Sequence, residues 1–230
     1  MNDFIVANMS CPYEIMRFIL VYRGPLSASQ AKGSTKRSER KQIREQITPQ
    51  LEKLWAVKPA LKQLKMSAYV PKRSGLSIPS ANSPFDDGTS FHKTNSNYVN
   101  LLEPIERGGH LFQPLVRKSL DLTCKIDVLF LRQEQPGNLI KKAGDLDNRI
   151  KTLLDAMEVP SPDTTKYDGD ELEEGEINYR LFESDSLVRG INIDSERLLL
   201  PETIFPNEVH LVIEVKVIIE KIGEWNMCLR

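Results

Sequence analysis

The chain has 230 residues and a mass of 26.2 kDa, enough for one domain with a real core. Its 31 basic and 32 acidic residues give a net charge of −1, which excludes a uniformly basic nucleic-acid binder. Its 40% hydrophobic and 27% charged fractions are those of an ordinary globular protein and exclude disorder over most of the length.

Residues 15–22 (IMRFILVY) read as a buried strand closed by Gly24-Pro25. From about residue 38 a helical pattern follows, with Ile43, Ile47, Leu51, Leu54 and Trp55 on one face. Thr48-Pro49 interrupts it in the manner of an N-cap and first helical position, so the segment is either two helices or one kinked helix. Residues 71–98 are rich in Ser, Asn, Pro and Gly and read as a long loop. Residues 120–131 form the clearest strand: Leu120, Leu122, Cys124, Ile126, Val128 and Phe130 alternate with polar residues. A turn at Pro136-Gly137 leads to a helix opened by Asp145, with Leu146, Ile150, Leu153, Leu154 and Met157 as its apolar stripe. Residues 160–182 are rich in acidic residues and read as an insertion. Strands follow at about 187–194 and at 208–220, where Val209, Leu211, Ile213, Val215, Val217 and Ile219 alternate. This order predicts a mixed sheet with flanking helices, of α/β or α+β class, in one domain over 1–230.

Cys11, Cys124 and Cys228 are far apart and odd in number, which argues against a disulfide framework or a zinc site. No apolar run approaches the ~18 residues of a membrane span. The N-terminus lacks a basic lead into its short apolar stretch, so a cytoplasmic location is expected. His92, His110 and His210 have no metal-ligand spacing, and no phosphate-loop or nucleophile-elbow pattern occurs.

The stretch 144–157, GDLDNRIKTLLDAM, carries the most chemistry. Asp145 and Asp147 flank the start of a helix, and Asn148, Lys151 and Asp155 lie away from the apolar stripe. One acid there is accounted for by capping and the helix dipole, and Asp147 can pair with Lys151 at i,i+4. Two acids at one turn can also present oxygens to Mg²⁺, which is held by few carboxylates plus waters and phosphate oxygens.

D-L-D-N, with a lysine four residues after Asp147 and then L-L-D-A-M, resembles the signature of the RusA-type Holliday junction resolvases. The resemblance covers about residues 118–220: the strand 120–131, the motif helix, a later acid in ESDSLV (183–188) and the final strand. It implies a Mg²⁺-dependent endodeoxyribonuclease (Mn²⁺ being possible) that acts on branched DNA in recombination or repair and works as a homodimer. Carried over by position, Asp145, Asp147 and Asp185 would be the catalytic metal ligands, with Asp194 and Asp170 as fallbacks for the third. Lys151 would face the charge that develops on the phosphate, and Asn148 would orient a ligand or water. Two other readings remain: a catalytically silent DNA-binding or regulatory module, and a metal nuclease acting on linear or phage nucleic acid.

The near-zero net charge conceals polarity. Residues 23–73 carry +10, concentrated in a basic helical segment at 30–65, and residues 163–185 carry −7. Lys36, Arg37, Arg40, Lys41 and Arg44 mostly clear the apolar stripe and are the expected phosphate contacts.

Overall fold

The structure is a computed structural model, and it describes residues 13–27, 33–71, 98–133, 145–163, 175–199, 208–223 and 225–229. Its architecture is mixed α/β, built around a four-stranded sheet with helices on one face.

Strand β1 (Tyr13–Pro25) lies at one edge of that sheet, pairs antiparallel with β9 (Glu208–Ile219), and β9 pairs antiparallel with β6 (Leu122–Arg132). Strand β8 (Val188–Arg197) closes the other edge, parallel to β6. Alternation decides the two faces. Leu20, Tyr22, Ile213, Val215, Ile126, Val128 and Phe130 point into the core, as the β6 and β9 patterns predict. β1 departs from the predicted buried strand. It is longer than 15–22, contains Gly24-Pro25 rather than ending before it, and exposes alternate residues because it is an edge strand with one open face. Gly24 is required there: a Cβ would come 2.5 Å from the Tyr22 hydroxyl, which donates to the Pro25 carbonyl at 2.9 Å.

The chain then forms α1 (Gly33–Val57), a single helix that runs through Pro49. The predicted N-cap at Thr48-Pro49 does not form. Ile43, Ile47, Leu51, Leu54 and Trp55 are all buried, so the core holds both sides of the proline in one helix despite its lost N–H. A short helix α2 (Pro59–Ser67) starts with proline in its first turn and packs on the C-terminal turn at Met227–Leu229. Of the predicted loop 71–98, residues 72–97 lie outside the described residues. Its ends form the short antiparallel pair β2 (Tyr69–Pro71) and β3 (Tyr98–Asn100).

A second sheet has β4 (Ile105–Arg107) antiparallel to β5 (His110–Val116), and β5 parallel to β7 (Ile177–Phe182). None of these three strands is legible as an alternation. The finding corrects the acidic insertion: its last residues are a sheet strand in which Asn178, Arg180, Leu181 and Phe182 are buried.

Helix α3 (Asp145–Met157) has the predicted bounds and stripe. Ile150, Leu153, Ala156 and Met157 are buried, and α1 packs against it. At its C-terminal end Glu158 bridges Phe182, and the Val159 N–H donates to the Phe182 carbonyl at 3.1 Å. β8 starts nearby, opposite Cys124 near the beginning of β6. The helix therefore returns the chain from the end of β6 toward the start of the parallel strand β8. Among the described residues no helix is long and apolar enough to cross a membrane.

Candidate functional site

The first turns of α3 carry the motif. Asp145 opens the helix, and its side chain is outside the described ones. Asp147 and Lys151 are exposed and one turn apart, and Asn148 is half-buried. The Asn148 carbonyl accepts the Thr152 hydroxyl at 2.9 Å. Arg149, on the opposite side, is buried. Its guanidinium donates to the Leu26 carbonyl and lies 6.0 Å from the Phe130 ring centroid. The same turn of α3 is thus pinned to the end of β1 on one side and open to solvent on the other.

The basic helix lies alongside. Arg40 of α1 donates to the Asp155 carboxylate at 3.3 Å, and Asp155 is one turn beyond Lys151. Asp147, Lys151 and Asp155 therefore form a stripe at i, i+4, i+8 that ends on α1. Lys36 and Lys41 are half-buried and Arg37 is exposed, and Lys41 is 4.0 Å from Glu45. Arg44 corrects the expectation for this face. It is 8% exposed and sits beside Ile43 in the interior of α1, lining a groove with Thr48, Asn178, Tyr179 and Arg180, so it is not an open phosphate contact. Arg180 is buried in the same wall, where it donates to the Thr48 hydroxyl at 3.0 Å and stacks 5.2 Å from the Phe112 centroid.

The later acid is elsewhere. Asp185 is exposed in a single turn (Asp185–Leu187) whose cap is Ser184, and its N–H donates to the Glu158 carboxylate at 2.9 Å. Asp147 and Glu158 are separated by about 16 Å of helix at 1.5 Å per residue. The structure therefore brings Asp185 to the C-terminal end of α3, not to the turn that holds Asp147. Among the fallbacks, Asp194 is exposed opposite Leu129, on the face of the sheet away from α3, and Asp170 lies outside the described residues. Among the described residues no three His, Cys, Asp or Glu side chains are grouped to hold a metal ion. What remains compatible with Mg²⁺ is the acidic first turn, since this ion is commonly held by one or two carboxylates with substrate phosphates completing the shell.

Glu158 went unnoticed in the sequence, where no pattern marks it. Burial, then the nearby charges of Asp185 and Asp155, raises its pKa above the ordinary carboxylate value, against the opposing bonds from the Asp185 N–H and the Ser184 side chain. On the open face of the main sheet, Asp127 accepts from Lys216 and from Asn192 at 2.6 Å, and these bonds lower its pKa. Lys216 also meets Glu214 at 3.2 Å, and Arg17 meets Glu214 at 3.5 Å. This chain of alternating charges satisfies itself across four strands and is structural. No protein-family model, curated protein or solved structure matches the chain.

Proposed function

We propose that the protein is a Mg²⁺-dependent endodeoxyribonuclease acting on branched DNA, as the RusA-like motif implies. The observation that carries the reading is the presentation of the motif. Asp147 and Lys151 stand exposed on the first turns of a helix whose other side is fixed by Arg149, and a basic helix lies alongside. Asp145 and Asp147 would hold the ion, which when bound polarises a phosphate oxygen and supplies a nucleophilic hydroxide from water. Lys151 holds positive charge one turn away, where charge develops on the scissile phosphate. Arg37 and Lys36 add cationic surface for the DNA backbone. Two copies would be needed for paired cuts in a four-way junction, so the active form in this reading is a homodimer.

The place of Asp185 favours one competing reading, a DNA-binding module without catalysis, because this carboxylate does not join the first turn. One experiment separates them. The chain is incubated with four-way junction, flap, linear duplex and RNA substrates in Mg²⁺, Mn²⁺ or EDTA. The nuclease reading expects metal-dependent cuts in branched DNA that Asp147→Asn abolishes while fold and DNA binding persist. Cleavage by Asp147→Asn at the wild-type rate overturns the site assignment. DNA binding without any cutting supports the silent module.

A further inference from the structure

Helix α1 turns one side to β1, where Gln46 and Gln50 hydrogen-bond the backbone of Arg23 and Val21, and another side to β7. Between α1 and β7 lies a groove of about 520 Å³, within the range of about 300–1,000 Å³ that pockets for small organic ligands occupy. Its charges are sorted by depth. Arg44 and Arg180 form the floor, at 8% and 2% exposed. Glu45, Glu52 and Glu176 are exposed and stand at the rim. Two guanidinium groups in one wall carry a desolvation cost that surface cations avoid. The floor is therefore a positive field in a partly enclosed space, where charge acts more strongly than in water.

The groups that reach a ligand directly lie above this floor. Arg44 and Arg180 are engaged within the protein. Arg180 donates to the Thr48 hydroxyl at 3.0 Å and to the Tyr179 carbonyl at 3.2 Å, so it acts on the groove through its charge. The Thr48 oxygen takes that bond as an acceptor, and its own proton remains to be donated. Lys41 and Thr48 are two turns apart on the same side of α1. The Lys41 ammonium leans toward Thr48, lying 4.0 Å from Glu45 one turn on, too far for a hydrogen bond. Tyr179 supplies a ring on the β7 side, braced by Trp55 at 6.4 Å between centroids and 43° between planes. Burial, then the charge of Glu52, raises the pKa of its hydroxyl, so the ring stays neutral.

We infer that this groove binds a single nucleotide, its one phosphate between Lys41 and Thr48 above the buried arginines and its base against Tyr179. The three parts of the groove select that chemistry together. The floor takes an anion. The ring takes a flat partner of any sequence, as aromatic side chains do for unpaired bases. The exposed carboxylates at the rim accept hydrogen bonds from base amino groups and sugar hydroxyls, and they repel the next phosphate of a longer strand. A bare phosphate leaves ring and rim unused, and a duplex cannot place a base on Tyr179 without unpairing it. Two sources carry this chemistry: a free nucleoside monophosphate and an unpaired terminal nucleotide of DNA. The second rests on the nuclease reading, and the groove is placed for it: Arg40, which ends the Asp147–Lys151–Asp155 stripe, is one helical turn from Arg44.

The test is isothermal titration calorimetry of the full chain in EDTA, which removes metal-dependent cutting from the readout. Deoxyadenosine monophosphate should bind at least about tenfold more tightly than deoxyadenosine, through charge-assisted bonds to its phosphate. Lys41→Glu and Tyr179→Leu should each weaken it by about tenfold, whereas inorganic phosphate should feel only the first. Glu45→Gln/Glu52→Gln should bind a single-stranded tetranucleotide more tightly than the wild type does. A DNA hairpin with one unpaired terminal nucleotide, titrated against a blunt one, tells the sources apart. A preference for the overhang that Tyr179→Leu removes assigns the groove to DNA, and binding of the monophosphate alone assigns it to a free nucleotide. Wild type with neither saturable monophosphate binding at millimolar concentration nor an overhang preference overturns the inference. So does binding that a folded Lys41→Glu or Tyr179→Leu variant leaves intact. Should Tyr179→Leu fail to fold by circular dichroism, Lys41→Glu and the rim variant decide. Nucleotide binding in a protein that cuts no DNA leaves the inference standing and the nuclease reading refuted.

Discussion

Replacing Leu153 by alanine tests the docking of α3, on which every proposed site residue except Asp185 and the α1 cations depends. Leu153 is 1% exposed and belongs to the main apolar cluster together with Met157, Val128 and Phe130. Truncation removes the equivalent of three methylenes from that cluster, at about 0.8 kcal/mol each. Incomplete collapse of the cavity brings the expected loss to about 3 kcal/mol. With a urea m-value of about 2–3 kcal/mol/M for a chain of this size, the unfolding midpoint should fall by about 1–1.5 M. The assay is equilibrium unfolding followed by tryptophan fluorescence and circular dichroism, with coincident transitions required. The half-buried Leu146 provides the control, and its alanine variant should shift the midpoint far less. A fall of less than about 0.3 M for Leu153→Ala, under a third of the expected shift, would refute the packing argument and with it the rigid presentation of Asp147 and Lys151.

Glu158→Gln should make the protein more stable at pH 7. A carboxyl whose pKa is raised by folding binds its proton better in the native state. The native state is penalised above the folded pKa, and the penalty disappears as pH falls toward the ordinary value of 4.5. The glutamine keeps an acceptor for the Asp185 N–H, so the gain should be largest at neutral pH and vanish below that window; a wild type more stable than the variant at pH 7 contradicts this. Cys124 is fully buried and its thiol is pushed up to about 12, so thiol reagents at pH 8 should label it only on unfolding. The half-buried Cys228, 3.1 Å from the Ser67 hydroxyl, should react earlier, and peptide mapping by mass spectrometry distinguishes the two.

The sequence by itself determined the elements whose burial is one-sided and local. The alternation of β6 and β9 and the stripe of α3 are direct records of one face in the core, and their bounds in the structure are close to those read from the chain. It also determined that Asp147 and Lys151 share an exposed helix face, because spacing of four residues suffices for that. The tertiary structure alone decided the rest. β5 and β7 pair in parallel and are largely buried, so HLFQPLV and INYRLF show little alternation, and Pro114 further disguises β5. Arg44 reads in sequence as a charged residue off the apolar stripe, yet the approach of β7 to α1 buries it. Gln46 and Gln50 look like ordinary helix-surface residues until β1 is brought within 3.0 Å of them. Whether Asp185 meets the motif depends on which end of α3 faces the start of β8. That is set by the return of the chain between parallel strands, a non-local pairing that no spacing along the sequence records.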